Sequence, residues 1–295
     1  MYWEKIGLIF CANHQFDWMQ THASLPIAKH LYEDVFRIYF STRDAANRSN
    51  GAFIDIDINQ PKEILNISDS PIVIPGNLGL FDDSGISLSC FVNDKMYYLG
   101  WHLLRTVPFS NQIGLIDIKD SEYHKHSILP ILGKCKNEPF TYGYPWVIIQ
   151  NGLYRMWYDV ILSWENGSLD NYVSELRYAE SYDGINWNKK YINCISKLDG
   201  EISISRPCVI YEQEKYKIWY SVNYKGKYFI GYSESTDGIK WERKDSEVGI
   251  SVSNEGWDSE EIEYPFVFDH KGERYLLYNG NGYGKTGFGL AILKS

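Results

Sequence analysis

The sequence has no long apolar run and no excess of positive charge. No stretch of about 18 apolar residues is present, so a membrane-spanning helix is not predicted. Lys and Arg together number 29 against 38 Asp and Glu, which gives a formal net charge of −9. Because nucleic-acid binding relies on clustered Lys and Arg that displace counterions from phosphate, nucleic acid is not an expected partner.

Cysteine is scarce, and its spacing indicates neither a disulfide framework nor a zinc site. The five cysteines are Cys11, Cys90, Cys135, Cys194 and Cys208, an odd number without a CxxC pair. The sequence also lacks an HExxH motif and a glycine-rich nucleotide loop, so no metal and no cofactor are expected. Residues 1–12 have no signal-peptide cleavage pattern, and reduced cysteines then predict a cytoplasmic location.

Aromatic residues, in contrast, are abundant, and they repeat. The chain has 24 Tyr, 13 Phe and 10 Trp, residue types that favour strands. Five short β-rich segments end 58 to 62 residues apart, which is typical of a repeated supersecondary unit. These segments are residues 36–40, 96–100, 154–158, 216–220 and 274–278.

A second apolar run precedes each segment and predicts a further strand. Proline begins this run in four units, as suits the first residue of a strand, and Ser89-Cys90 takes its place in the second unit. The four prolines are Pro26, Pro145, Pro207 and Pro265. We therefore predict an all-β fold: a single five-bladed β-propeller over residues 1–295, with four antiparallel strands per blade.

Two units share a motif of Asp-Gly followed by Trp, which predicts tight turns at the outer edge of the blades. The residues are Asp183 and Trp187 in one unit and Asp237 and Trp241 in the other. We interpret all four as structural.

The residues just before each strand-starting position are expected to face the central axis. Four units place a carboxylate there and the first places His22. Crowded carboxylates repel, which raises the pKa of some and suits acid and base roles in glycosidic bond cleavage. The predicted catalytic residues are Asp83, Glu138, Glu201 and Glu261. Alternatively, such acids bind backbone amides and cap loops.

A further set of residues is predicted to bind substrate. Arg43 and Arg48 can bind a carboxylate or phosphate, or Arg43 can pair with Asp44 to shape the loop. Arg206 needs an anionic partner, either Glu201 or a ligand. The predicted substrate-binding residues are His22, Arg43, Asp44, Asp82, Tyr142, Arg206, Trp257, Asp258 and Glu260.

Four motifs carry a resemblance to a known group of proteins: residues 40–44 (FSTRD), 81–85 (FDDSG), 178–181 (YAES) and 256–260 (GWDSE). With them the chain resembles the five-bladed propeller glycosidase superfamily of arabinanases, xylosidases, invertases and levansucrases. It looks most like uncharacterised glycosidase-like proteins encoded among bacterial surface-polysaccharide genes.

The resemblance implies a carboxylate from the first blade, a supporting Asp from the second and a Glu acid from the third. Asp83 and Glu138 match the second and third by blade position, whereas Leu25 stands where the first Asp is expected. Asp17, Asp44, Glu261 or a water held by His22 are candidate replacements. A structural Ca²⁺ is implied by the resemblance alone.

The sequence therefore predicts a carbohydrate-active enzyme that cleaves or transfers a glycosyl group by carboxylate acid/base catalysis in the central funnel. Its expected partner is a carbohydrate or an activated sugar. One alternative is a glycosyltransferase or phosphorylase of surface-polysaccharide biosynthesis. Another is a non-catalytic glycan-binding propeller, which Leu25 favours.

Overall fold

The computed structural model describes residues 1–164 and 172–294, and the regular secondary structure of these residues is almost entirely β-strand. The described chain also has a 3₁₀ turn at Asp245–Glu247 and one short helical turn at Asn281–Gly284. The strands are β1 (Tyr2–Phe10), β2 (Thr21–Tyr32), β3 (Val35–Arg43), β4 (Ser49–Asp57), β5 (Ile64–Ile67), β6 (Gly85–Val92), β7 (Lys95–Leu103), β8 (Phe109–Lys119), β9 (Glu122–Lys125), β10 (Thr141–Gln150), β11 (Leu153–Trp164), β12 (Tyr172–Ser181), β13 (Asn188–Lys189), β14 (Glu201–Glu212), β15 (Lys215–Tyr224), β16 (Lys227–Ser235), β17 (Glu242–Arg243), β18 (Glu263–His270), β19 (Glu273–Asn279) and β20 (Phe288–Lys294).

Consecutive strands pair antiparallel into four-stranded units. Unit 1 is β2–β5 and unit 2 is β6–β9; a single parallel pair, Ser49 with Gly85, joins them into one larger sheet. Unit 3 is β10–β13, unit 4 is β14–β17, and unit 5 is β18–β20 completed by β1 on β20. The prediction of four antiparallel strands per repeat is therefore confirmed.

The predicted Asp-Gly turns are confirmed in units 3 and 4. Asp183 accepts hydrogen bonds from the backbone N–H groups of residues 185 and 186, and Asp237 does the same for residues 239 and 240. Gly184 and Gly238 have φ of 73° and 75°, a region that glycine enters without steric conflict.

These turns also join neighbouring units. The Trp157 indole Nε1 of unit 3 donates to the Gly238 carbonyl of unit 4 at 2.7 Å. The Tyr97 hydroxyl of unit 2 donates to the Gly184 carbonyl of unit 3 at 2.9 Å. Both aromatic side chains are fully buried, so each satisfies its polar atom while filling the core between two units.

The cysteines and the helices agree with the sequence analysis. All five thiols are free, and Cys90, Cys194 and Cys208 are buried. Across the described ranges, no helix is long and apolar enough to cross a membrane.

Candidate functional site

Bulges in the first strand of four units place the residue before each proline out of the regular ladder. Leu25, Tyr144, Arg206 and Tyr264 have φ between 44° and 58°, and the strand register shifts at each of them. A positive φ on a non-glycine residue costs about 1 to 3 kcal/mol and is found most often at functional sites. Bulges change the direction in which a side chain points, and here they do so for one residue in each of these four units.

The re-aimed side chains meet residues of non-adjacent units. The hydroxyls of Tyr144 (unit 3) and Tyr264 (unit 5) lie 3.2 Å apart. The Arg206 guanidinium (unit 4) donates to the carbonyl and hydroxyl of Ser89 (unit 2) at 2.6 and 3.0 Å. The first strands of these four units therefore converge on one region.

A cavity of about 590 Å³ opens above this region. Its aromatic walls are Trp101, Phe109, Tyr144, Tyr172, Tyr264 and Tyr283. Serine hydroxyls, two asparagine amides and the Arg43 guanidinium supply the polar lining, and no Asp or Glu of the described chain is among the lining residues. We call this cavity the central pocket. Apolar walls with a few polar groups are typical of small-molecule sites.

Each unit has a cross-strand pair at the level of its bulge, and the pairs of units 1 and 2 line the central pocket. The pairs are Ser24 with Ser41, Ser87 with Leu99, Gly143 with Asp159, Ser205 with Ser221, and Glu263 with Asn279. Carboxyl groups therefore occur at this level in units 3 and 5, the two units that supply the tyrosine pair.

Both carboxyl groups are buried and lack full hydrogen bonding. Glu263 is fully buried, and neither of its side-chain oxygens has a hydrogen-bond partner in the described structure. Asp159 is 5% exposed, and its Oδ1 also has none. Burial raises the pKa of Asp159 to about 7, and burial together with the nearby Glu261 carboxylate raises the pKa of Glu263 well above its usual range. Burial therefore favours the protonated, neutral form of Glu263.

Arg43 is the one predicted site residue that lines the central pocket. The Arg43–Asp44 ion pair allowed by the sequence does not form, because Asp44 pairs with Arg48 at 2.9 Å. The Asp44 carboxylate also accepts two backbone N–H groups of its own loop. His22 lies near Arg43; burial, Arg43 and Lys285 lower its pKa to about 4.

Four predicted acids instead form ion pairs with a cation from the outermost strand of their own unit. Asp82 pairs with Lys125, Glu138 with Lys189, Glu201 with Arg243, and Asp258 with Lys5, at 2.6 to 3.3 Å. None of the four lines the central pocket. The Arg206–Glu201 pairing allowed by the sequence is likewise wrong, because Glu201 is taken by Arg243.

The other predicted residues also lie in local structure. Asp83 accepts the Gly79 N–H at 2.8 Å, Glu260 pairs with Lys227 at 2.6 Å, and Glu261 accepts the Gly282 N–H at 2.7 Å. The buried Tyr142 hydroxyl donates to the Glu138 carbonyl, and Trp257 packs on Tyr278. Their catalytic or binding roles stay predictions. In the structure, these residues stabilise loops and packing.

The calcium ion implied by the resemblance does not fit the side chains that converge here. No three His, Cys, Asp or Glu side chains of the described ranges come together as a set of metal ligands. The Arg206 guanidinium on the first strand of unit 4 is fully buried, and it disfavours a nearby cation.

A second cavity, of about 540 Å³, lies on the outer strands of units 1 and 2. Asn66 and Tyr123 are among its lining residues, and none of the predicted site residues is. The central pocket is therefore the candidate functional site.

The sequence analysis overlooked Tyr144, Tyr264, Asp159 and Glu263. A signal existed for the two tyrosines, because they occupy the position before proline that singled out Arg206. Asp159 directly follows the core segment of unit 3 and carried no such signal.

Solved structures with the same fold include several glycosidases. One described as a glycoside hydrolase superimposes with a TM-score of 0.76 over 99% of this chain and 92% of that chain, at 14% identity. A thermostable family-43 glycoside hydrolase superimposes with a TM-score of 0.67 over 92% of this chain and 89% of that chain, at 16% identity. A third comes from the GH130 family of mannoside phosphorylases, described as containing glycoside hydrolases that target β-1,2 mannosidic linkages in Candida mannan. Its TM-score is 0.67 over 99% of this chain and 93% of that chain, at 15% identity. The predicted resemblance is confirmed at the level of the fold, which is that of glycoside hydrolases.

Sequence comparison then places the chain in a family. It is 41% identical over 301 residues to Uncharacterized protein MT1551 of Mycobacterium tuberculosis (strain CDC 1551 / Oshkosh), and the alignment covers all of both chains. Uncharacterized protein Rv1502 of Mycobacterium tuberculosis (strain ATCC 25618 / H37Rv) is 40% identical with the same coverage. The chain belongs to the family of these two mycobacterial proteins. No family model matches the sequence.

Proposed function

We propose that the five units are the blades of one five-bladed propeller, a single domain over residues 1–295, whose central pocket binds a carbohydrate and cleaves or transfers a glycosyl group. The observation that carries this proposal is the pocket itself: an open cavity of about 590 Å³ with aromatic walls and hydroxyl and amide groups. Flat aromatic faces suit sugar rings, and the hydroxyls and amides suit their hydroxyl groups. The fold shared with glycoside hydrolases supports it.

Asp159 and Glu263 are the carboxyl groups we assign to the chemistry. They stand at the same strand level in units 3 and 5, the two units whose Tyr144 and Tyr264 hydroxyls meet and line the pocket. A protonated carboxyl group can donate its proton to the leaving-group oxygen as the glycosidic C–O bond breaks and a nucleophile attacks the anomeric carbon. Of these groups the two tyrosines line the pocket, so proton transfer from either carboxyl group would require a hydrogen bond to Tyr144 or Tyr264 to form when substrate binds.

A binding protein without catalysis is the second candidate function. It is favoured by the absence of Asp and Glu from the pocket lining in the described chain. Asp159→Asn and Glu263→Gln separate the two candidates, because each keeps a neutral group of the same shape. On a saccharide that the wild type converts, both variants should bind and lose turnover; a saccharide that binds without any product assigns a binding role.

The first experiment screens oligosaccharides, sugar phosphates and nucleotide sugars by thermal shift, since a ligand that binds only the folded state raises its stability. Ser87→Trp fills the central pocket from β6 and should abolish the shift. Leu65→Trp is the matched control, because Leu65 is 55% exposed on β5. A saccharide shift that survives in Ser87→Trp would place binding elsewhere and overturn the proposal. Protection by a nucleotide sugar alone would assign glycosyl transfer.

A further inference from the structure

Arg43 is a cation without a carboxylate partner at the wall of the central pocket. It ends β3 and is half-buried, and its Nη1 donates to the Asn47 side-chain carbonyl at 2.9 Å. No carboxylate oxygen of the described residues lies within ion-pair distance of its guanidinium. The pocket wall around Arg43 also has no acidic side chain from the described chain.

Five of the nine arginines in the sequence form ion pairs in the structure. Each pairs with a carboxylate at 2.6 to 2.9 Å: Arg37 with Asp55, Arg48 with Asp44, Arg177 with Glu175, Arg243 with Glu201, and Arg274 with Glu212. Arg105, Arg155 and Arg206 also lack an ion pair with a carboxylate in the described chain, but Arg43 is the arginine that lines the central pocket. Desolvating a cation is costly without an anion, which makes an anionic ligand the natural partner of Arg43.

The surroundings of Arg43 add positive charge. Arg206 is fully buried, and its Nε and Nη2 have no hydrogen-bond partner among the described residues. Arg43 and Lys285 together help to lower the pKa of His22 to about 4, so His22 is neutral at neutral pH. Its Nδ1 lies 2.9 Å from the Thr21 hydroxyl. The local potential is therefore positive in a chain of net negative charge.

We propose that Arg43 forms an anion subsite of the central pocket, and that the carbohydrate bound there carries a phosphate ester or a carboxylate. The guanidinium fork matches both groups, because each offers two oxygens for parallel hydrogen bonds. This inference rests on the proposed function, that the pocket takes a carbohydrate.

Isothermal titration of the full chain with four probes tests the inference: inorganic phosphate, a hexose 1-phosphate, glucuronic acid and glucose. One of the charged sugars should bind at least roughly 10-fold more tightly than glucose. Arg43→Gln should weaken the binding of that sugar by roughly 10- to 100-fold and the binding of glucose by clearly less, so that the preference for the charged sugar is lost. Arg43→Lys keeps the charge without the two-pronged guanidinium, so its affinity for the charged sugar should lie between those of the wild type and Arg43→Gln. Arg43→Lys replaces Arg43→Gln as the test if the Gln variant does not unfold cooperatively.

Arg48→Gln is the matched control. Arg48 lies in the same loop, is exposed and is paired with Asp44, so its loss should change none of the four affinities. Preference for the hexose 1-phosphate assigns a phosphate ester, and preference for glucuronic acid assigns a carboxylate. Inorganic phosphate that binds as tightly as the hexose phosphate, and depends on Arg43, assigns free phosphate and overturns the charged-sugar assignment.

Two results separate this inference from the proposed function. Equal affinity of the wild type for glucose and both charged sugars, or a charge preference retained in Arg43→Gln, overturns the anion subsite and leaves the carbohydrate pocket standing. Failure of every saccharide in the thermal-shift screen to bind overturns the proposed function itself.

Discussion

Asp159 shows how a single side chain is set by its surroundings. It pairs across the strands with Gly143, and a Cβ atom at Gly143 would lie 2.5 Å from Asp159 Oδ1. Glycine at 143 therefore makes the room that the carboxyl group occupies. Because that room is away from water, the charged form is disfavoured and the pKa of Asp159 rises to about 7.

This pKa predicts how stability depends on pH. Between pH 4 and pH 7 the unfolded chain has lost the Asp159 proton, whereas the folded chain still binds it. The free energy of unfolding of the wild type should therefore fall as pH rises through this window, by about 1.4 kcal/mol per pH unit at most from this one group. Asp159→Asn removes the contribution of this carboxyl group to the pH dependence. The free energy of unfolding of the variant, measured by urea unfolding, should therefore rise relative to that of the wild type from pH 4 to pH 7.

Asp199→Asn serves as the control, since Asp199 is exposed. Its unfolding free energy should stay parallel to that of the wild type over the same range. Parallel curves for Asp159→Asn as well would show that Asp159 is ionised in the folded protein at pH 5 to 6, and would remove it as a proton donor.

At the scale of the repeated unit, the acids that the sequence singled out form a structural motif. In units 2, 3 and 5 an acid lies seven residues before the proline position and receives both a lysine from the outermost strand and a tyrosine hydroxyl from the core strand. These triads are Asp82 with Lys125 and Tyr98, Glu138 with Lys189 and Tyr158, and Asp258 with Lys5 and Tyr278. Unit 1 has the fully buried Met19 and Phe40 at the acid and tyrosine positions.

Removing one member of a triad should be costly. Asp258→Asn leaves Lys5 without its carboxylate 2.6 Å away, and the Asp258 side chain is only 2% exposed. We expect a loss of about 2 to 3 kcal/mol in the free energy of unfolding, below the range for a fully buried pair because Lys5 is 23% exposed. Chemical denaturation measures this.

The triple variant Lys5→Met, Asp258→Met and Tyr278→Phe gives unit 5 the apolar pattern of unit 1. Replacing a buried ion pair by apolar groups of similar size is often neutral, so the triple variant should recover most of the stability lost in Asp258→Asn. A triple variant less stable than the single one would mean that the charges of this triad contribute net stability.

For the whole molecule, the sequence was informative about repetition and less so about convergence. Pro26, Pro145, Pro207 and Pro265 and the five aromatic segments predicted the strands, because their constraints are local. The central pocket depends on where bulges aim side chains 120 residues apart, such as Tyr144 and Tyr264. Spacing alone does not encode that.

The predicted acids show that recurrence in the sequence does not by itself identify a functional site. Asp82, Glu138 and Asp258 recur at a fixed position, and recurrence suggested a common site. A residue that recurs at one position can equally stabilise each repeat. The ion pairs with Lys125, Lys189 and Lys5 on the outermost strands favour this structural interpretation over a shared site. Those partners are distant in sequence, by 253 residues for Lys5 and Asp258.

Hydrogen bonds connect each unit to the next, and unit 5 to unit 1. The Ser41 hydroxyl accepts the Leu88 N–H, the Ser221 hydroxyl accepts the Tyr264 N–H, and the Asn279 carbonyl oxygen accepts the Leu25 N–H, at 2.8 to 2.9 Å. With the Tyr97 and Trp157 contacts already described, every junction is bridged. A chain of contacts that returns to its start predicts that the units unfold together.

The strand β1 tests this cooperativity, because it completes unit 5 from the start of the chain. Trp3 on β1 is 3% exposed and packs edge-on against Trp219 of unit 4 at 6.4 Å, and its backbone N–H donates to the Gly249 carbonyl. Trp3→Ala should lower the free energy of unfolding by about 3 to 4 kcal/mol. Tyr2→Ala, on the opposite face of the same strand where Tyr2 is 63% exposed, should change it by no more than about 0.5 kcal/mol.

In both variants far-UV circular dichroism and tryptophan fluorescence should report one coincident transition. An early transition in Trp3→Ala that removes part of the strand signal would show instead that unit 5 opens alone, and that the junctions between units are weaker than the sheets they join.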